Sequence, residues 1–445
     1  MKKARVLVLA LTLALGLGLV AVLLAIPQVG LAQPINKGIS PAALQAPILD
    51  PFIDIWVDTV YNMAPAVAYN SLHDEYLVVW YNDQGGPTRD IYARRVGGDG
   101  SLKSWFAVVT GTAQVNWLPD VAYSPAQDQY LVAYTYADPV SDYDVWARRV
   151  SWNGGWMSPE FPIHQDSDDQ WNAAVAYNSL NDEYLVVYQN TWASGLYDIA
   201  AVRVRASDGI TQSWRNIATG AGDWRIDPDV AYNGTRNEYL ITYRFLAGPS
   251  HTSGDILGKV ASYDMGTLSS EIGICTDTYD QIAPAVAAGP DEYLVAWSDG
   301  IGTEDYDIFA RRVSGDGTPQ GASGGFEIAG IGNPNLHEDP AVAYGAGFGY
   351  LVAWAYDIDP GALFIRDING RYVMSGQNQA AGNGFAIDGT AYNQHLPAIA
   401  CGPSGDCLVV EEDEWSPSGS GDYEIRGRFV RLHRLYLPTM LRNFQ

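Results

Sequence analysis

The chain has 445 residues, of which 47% are apolar, 12% aromatic and 17% charged, a content that excludes disorder and supports a large packed core. With 26 Lys plus Arg against 51 Asp plus Glu, the net charge is −25. That balance argues against nucleic acid or an anionic membrane surface as partner, because both demand a basic footprint.

Met1-Lys2-Lys3-Ala4-Arg5 is a basic start to an uncharged, largely apolar run from Val6 to Ile26. Gly30-Leu31-Ala32 then places small residues where a signal peptidase reads. The expectation is a cleaved signal over residues 1–32 and a secreted or cell-surface protein, with no integral membrane domain after cleavage. An uncleaved anchor is the alternative, since a run of this length can span a bilayer. No Cys follows the run, which argues against acylation as a lipoprotein. Residues 33–51 read as a linker.

From there the chain repeats itself. Pro65-Ala66-Val67-Ala68-Tyr69 returns from Pro119, Ala173, Pro228, Pro284, Pro340 and Pro397, at intervals of 54, 54, 55, 56, 56 and 57 residues. Each copy holds four strand signals. The second is Tyr76-Leu77-Val78-Val79-Trp80 and its counterparts. The third is Asp90 to Val96, matched by Asp144 to Val150 and Asp307 to Val313, and an Asp-Gly or Asn-Gly hairpin pair commonly follows it. The fourth is short, as in Phe106 to Val109, Phe161 to Ile163, Phe326 to Ile328 and Phe385 to Ile387.

The second strand is apolar on both faces, the pattern of a sheet covered on both sides. Such four-stranded sheets must stack on copies of themselves, in an open row or a closed ring. Neither end copy has the polar face that an open row requires. The expected fold is therefore all-β: a seven-bladed β-propeller of four-stranded antiparallel blades over residues 52–430. Phe52-Ile53-Asp54-Ile55 carries the fourth-strand pattern at the fourth-strand spacing, so residues 52–55 are expected to complete the last blade. The alternative is that Leu435 to Leu441, in the basic, apolar tail 431–445, supplies that strand.

The phrases PAVAYN (65–70), EYLVVW (75–80) and DIYARRV (90–96) resemble repeats of exported bacterial proteins, most of them of unassigned function. The resemblance spans about Phe52 to Val430. It implies a repeat type and an extracellular setting, and it brings no catalytic motif. Leu435-Tyr436-Leu437-Pro438 with Arg442 is similar to a short tail on other exported proteins.

In the last copy the paired Tyr positions of the first hairpin are Cys401 and Cys407, predicted to face each other and form a disulfide in an oxidising compartment. Cys275 is left over, expected in a buried fourth strand, and no metal site accompanies these cysteines. Arg94, Arg148, Arg311, Arg366 and Arg428, with Lys259, recur in the third strand and are expected to pair with the repeating Asp90, Asp144 and Asp307 between blades. Asp166 to Asp169 and Glu411 to Glu414 are expected to be solvated acidic surface; calcium is the alternative.

Three residues before each anchor stand Asn62, Asn116, Gln170, Arg225, Gln281, His337 and Gln394, beside Trp117 and Trp171 in copies two and three. Superposed blades would arrange these donors in one circle around the axis. Donors beside indole faces suit a polar, ring-shaped ligand, whereas hydrogen bonding to loop backbone between blades is the structural alternative. Copies six and seven place His337, Glu338 and His395 on neighbouring blades, which would serve acid/base chemistry or a metal.

The leading expectation is a non-catalytic binding propeller with no cofactor, its ligand an extracellular glycan or protein at one mouth of the channel. The alternatives are a polysaccharide lyase or hydrolase using His337, Glu338 and His395, and a structural envelope protein held by its tail.

Overall fold

The computed structural model describes residues 46–432, apart from 87, 112–113, 138–141, 193–194, 213, 249, 301–305, 331–335, 358–364, 391 and 415–421. The chain divides into two units, Met1–Ile39 and Ser40–Gln445, and every described residue belongs to the second. The expected signal segment, and Leu435 to Leu441 with the rest of residues 433–445, lie outside the described residues. Among the described residues no helix is long and apolar enough to cross a membrane.

Every regular element described is a β-strand. Copy one runs Tyr61–Asn70, Glu75–Asp83, Arg89–Gly97 and Leu102–Val109, paired antiparallel in that order. The first strands of the other copies are Val115–Ser124, Asp169–Asn178, Trp224–Asn233, Asp280–Gly289, His337–Gly345 and Asn393–Cys401. Copies three to six form separate four-stranded sheets, while one parallel bridge, Arg89 to Val115, joins the sheets of copies one and two. In copy seven the fourth position is filled from the N-terminal side. Ile53–Trp56 pairs antiparallel with Tyr423–Arg431, with Ile53 opposite Gly427 and Trp56 opposite Ile425. Ile48–Leu49 pairs with the end of the same strand.

The second strands are buried along nearly their whole length on both faces, as their unbroken apolar runs require. Their side chains enter apolar clusters that form between consecutive copies. Tyr130, Val132 and Tyr134 of copy two meet Leu77 and Val79 of copy one. The cluster of Tyr76, Val78 and Trp80 takes in Leu408, Val410, Ile425 and Phe429 of copy seven, with Ile55 at its centre. First strands lie beside one another in succession, and that of copy seven lies beside that of copy one.

Polar latches reinforce these contacts and correct one expectation. The recurrent third-strand Arg reaches the backbone of the preceding sheet's outer strand instead of a repeating Asp. Arg94 donates to Ile55 O at 2.7 Å, Arg311 to Ile274 O at 2.8 Å, Arg371 to Ile328 O at 2.6 Å and Arg428 to Ile387 O at 2.6 Å. Arg148 makes the same bond to Val108 O. Pairing register places Arg371, not Arg366, in this series, because Arg371 sits opposite Val352 as Arg94 sits opposite Val78. An outer-strand carbonyl has no further strand to bond, so a guanidinium from the next sheet satisfies it. The acidic run at 411–414 is also not solvated: Glu411, Glu412 and Asp413 are buried, since they continue a second strand.

Each first strand carries a bulge just before its anchor, with the residue there in the left-handed region: Ala64, Leu118, Asn172, Asp227, Ala283, Asp339 and Leu396. Asn and Asp tolerate this conformation, whereas Leu resists it. Leu396 has φ 44° and is 38% exposed, so Leu396→Asn removes strain with little loss of packing. We expect a gain of about 0.5–1 kcal/mol in urea unfolding.

Candidate functional site

The bulges turn the seven anchor segments toward one cavity of about 370 Å³. Its lining draws on every copy, through Ala64 to Ala66, Leu118 to Asp120, Asn172 to Ala174, Pro228-Asp229, Ala283-Pro284, Asp339-Pro340 and Leu396 to Ala398. Asp120, Asp229 and Asp339 give this cavity an acidic character. Asp120 accepts the backbone N–H of Val121 at 2.8 Å and of Val175, in the next copy, at 2.7 Å. Asp229 does the same for Val230 and Val286, both at 2.7 Å. These carboxylates thereby staple neighbouring first strands. Burial pushes their pKa up, to about 6 for Asp120 and Asp339 and about 7 for Asp229.

The circle of donors expected around the axis is buried behind this lining. Asn62, Asn116, Gln170, Gln281 and Gln394 are fully buried, and Arg225 and His337 are nearly so. Each has a partner within the protein. Asn62 Nδ2 donates to Asp58 Oδ1 at 2.7 Å and to Tyr423 O of copy seven at 3.0 Å, while its Oδ1 accepts Trp80 Nε1 and Asn82 Nδ2. Asn116 Nδ2 donates to Arg89 O of the preceding copy at 2.9 Å. Gln170 bonds Asp166 Oδ1 and Asp168 O, Gln281 bonds Tyr279 O, and Gln394 bonds Thr390 and Asp413. Arg225 pairs with Glu271 at 3.0 Å. Asn62 and Asn116 thereby reach the neighbouring copy, while the others fasten the loop or strand within their own copy.

The residues expected for acid/base work are only partly brought together. Glu338 pairs with Arg366 at 3.0 Å, and Arg366 Nη1 lies 3.4 Å from His395 Nδ1. His337 belongs to a different setting: its Nδ1 accepts Trp354 Nε1 at 2.9 Å, and its ring lies 4.8 Å from Tyr356. Burial lowers both imidazoles to about 4, and for His395 the Arg366 charge adds to the effect. Near neutral pH both are uncharged and weakly basic, far from the match to operating pH that proton transfer favours. Among the described residues no group of three or more His, Cys, Asp or Glu side chains is placed to hold a metal ion.

The aromatic residues are better exposed. Trp117 and Trp171 are half-buried, with ring planes within 9° of parallel and centroids 6.4 Å apart. Tyr143, 42% exposed, lies 6.0 Å from Trp117, and the Arg89 guanidinium sits 5.8 Å from the Trp117 ring. Together Gly86, Arg89, Val115, Trp117, Ala137 and Tyr143 line a cleft of about 220 Å³ at the junction of copies one and two. Its floor is aromatic and its wall carries one guanidinium, held by Asp83 at 2.7 Å.

Tyr143 was not among the residues singled out from sequence, yet its signal was present. The residue just before the acid that opens each third strand is Arg89, Tyr143, Tyr197, Gly254, Tyr306, Arg366 and Tyr423. All seven meet the opening residues of a first strand: Arg89 and Tyr143 at Trp117, Tyr197 at Trp224, Gly254 and Tyr306 at Asp280, Arg366 at Glu338, and Tyr423 at His395.

Cys401 and Cys407 form the disulfide expected of them, opposite one another across the first hairpin of copy seven. Cys275 is a free thiol in the fourth strand of copy four, where burial pushes its pKa up to about 12.

Solved structures share this all-β architecture over most of the chain. An ulvan lyase of polysaccharide lyase family PL25 aligns with a TM-score of 0.57 at 10% identity, covering 85% of this chain and 95% of its own. A protein of unknown function from Dyadobacter fermentans aligns at 0.53 and 11% identity, covering 86% and 99%. The β-propeller domain of the trilobed protease from Pyrococcus furiosus, described as having an open velcro topology, aligns at 0.48 and 9% identity, covering 83% and 95%. Identities this low establish the fold alone. The sequence matches no protein-family model and no curated protein.

Proposed function

We propose that the chain is an exported, seven-bladed β-propeller, closed into a ring by Ile53–Trp56, that binds a ligand without chemistry of its own. The ligand class is a polar, ring-shaped molecule such as an extracellular glycan, seated over Trp117 and Tyr143 and edged by Trp171. The cleft at this aromatic group carries the reading, because a pyranose stacks its apolar C–H face on indole and phenol rings. Seven repeats, an apolar cluster between the last copy and the first, and one cavity drawing on every copy support the ring. The basic, apolar start of the chain, the Cys401–Cys407 disulfide and the resemblance to repeats of exported proteins support export.

The competing reading is a polysaccharide-active enzyme, and the likeness to an ulvan lyase keeps it in view as fold-level analogy. Partner-locked Glu338 and the separate setting of His337 weigh against it. A glycan array followed by calorimetry on the best hit separates the two. A binder gives saturable heat without products, and Trp117→Ala or Tyr143→Ala each weakens it about tenfold, equivalent to roughly 1.4 kcal/mol. Unchanged affinity in both variants, or shortened oligosaccharides in the cell, would overturn the binding assignment.

A further inference from the structure

Copy seven departs from the other six at the centre of its sheet. The second strand there carries a large buried aromatic in the others: Trp80, Tyr134, Tyr188, Tyr243, Trp297 and Trp354. In copy seven the position is Glu411, 1% exposed and opposite Arg426. Neither Glu411 oxygen accepts a hydrogen bond from an N–H or hydroxyl donor. A second carboxyl, Asp388 on the outer strand of copy six, lies close enough for its charge to act on Glu411. Asp388 is also fully buried; one oxygen accepts Thr390 N at 2.8 Å and the other has no donor.

The charged surroundings give this pair little relief. Arg426, on the third strand, is engaged by Asp413 at 2.6 Å and by Asp54 of the N-terminal strand at 3.2 Å, and lies 3.9 Å from Asp388. Glu424 on the same strand and Asp367 in copy six add further carboxyls. The first strand of copy seven contributes an uncharged amide, Gln394, to Asp413. A buried carboxyl whose oxygens meet no protein donor, among other carboxyls and facing a guanidinium already engaged elsewhere, holds its proton more tightly than one in water.

We propose that Glu411 keeps its proton at the junction of copies six and seven, making a latch that releases the N-terminal closing strand when the proton is lost. Arg426 transmits the effect, because it reaches Asp388 and Asp54 at once and lies against the Phe52 ring at 4.9 Å. Ionising Glu411 draws the guanidinium opposite it inward and loosens its hold on Ile53–Trp56.

The sign follows from linkage. Burial, with Asp388 adding to it, holds Glu411 well above the ordinary glutamate range. Below about pH 4.3 the group is protonated folded or unfolded and has no effect on the balance. As pH rises further the unfolded chain releases the proton first, so stability declines until the folded-state value is reached.

Infrared spectroscopy of the native protein at neutral pH should show the carbonyl band of a protonated carboxyl that disappears in Glu411→Gln. Hydrogen exchange should show the protection factors of the Ile53–Trp56 amides falling at least about tenfold between roughly pH 5 and pH 9, with Glu411→Gln holding them level. Asp120, Asp229 and Glu412 also titrate upward-shifted, so the difference between wild type and variant is the quantity read. A spectrum lacking any band that Glu411→Gln removes, or equal declines in both proteins, would refute the latch. The spectrum needs no variant to fold in order to show whether a protonated carboxyl is present.

Discussion

A chain beginning at Val57 is expected to unfold at a much lower urea concentration than one beginning at Ala46, by at least about 4 kcal/mol. The shorter chain lacks Ile53–Trp56, whose Ile55 is fully buried among Trp80, Leu408, Ile425 and Phe429. It also loses the carbonyl of Ile55 that receives Arg94 and the carboxylate of Asp54 that receives Arg426. The third strand of copy seven is then an unpaired edge, with two faces still built for burial. Ile55→Ala alone should cost about 2–4 kcal/mol, since the surrounding rings can close only part of the space. Hydrogen exchange of Tyr423–Arg431 locates the damage. Equal urea midpoints for the two chains would show that this strand contributes little, and would return attention to Leu435 to Leu441 as the closing segment.

Asn62→Ala carries the second large effect and decides what the buried donors are for. The amide satisfies Trp80 Nε1 and Asn82 Nδ2 and bonds the carbonyl of Tyr423 across the junction with copy seven. Truncation leaves these buried groups without a partner, at a combined cost of about 3 kcal/mol or more. Calorimetry on the folded variant should show ligand affinity within twofold of wild type, because Asn62 has no exposed surface. Unchanged stability with abolished binding would assign the circle of donors to a ligand instead.

Much of the architecture was legible because it is periodic. Seven occurrences of one phrase locate seven first strands, and unbroken apolar runs mark the second strands that sheets on either side must cover. The fourth-strand pattern at Phe52 to Ile55 pointed to the chain end that pairs with Tyr423–Arg431. The hairpin carrying Cys401 and Cys407 was equally plain, since tyrosines at both positions in other copies define it.

The site was less legible, for reasons visible in particular side chains. Gln170 and Trp171 are neighbours in sequence, yet one is fully buried and the other half-exposed. Strand alternation separates them, but a bulge two residues later makes the sense of that alternation hard to read before the register is known. Arg366 looked like a member of the Arg series by proximity; pairing register gives that place to Arg371 and puts Arg366 beside Glu338 and His395. Glu411 to Glu414 read as surface by composition alone, because nothing in a run of acids announces that it continues a central strand.

By itself the sequence determined the repeat, the four-stranded unit, the disulfide and the segment that fills the outer position of copy seven. All four depend on spacing and on apolar periodicity, which are properties of the chain. Tertiary structure alone decided which donors are spent between sheets, which aromatic rings remain open, and where a lone glutamate is enclosed. Those outcomes depend on what the neighbouring copy presents, and residues about 55 apart in sequence meet only when the sheets stack.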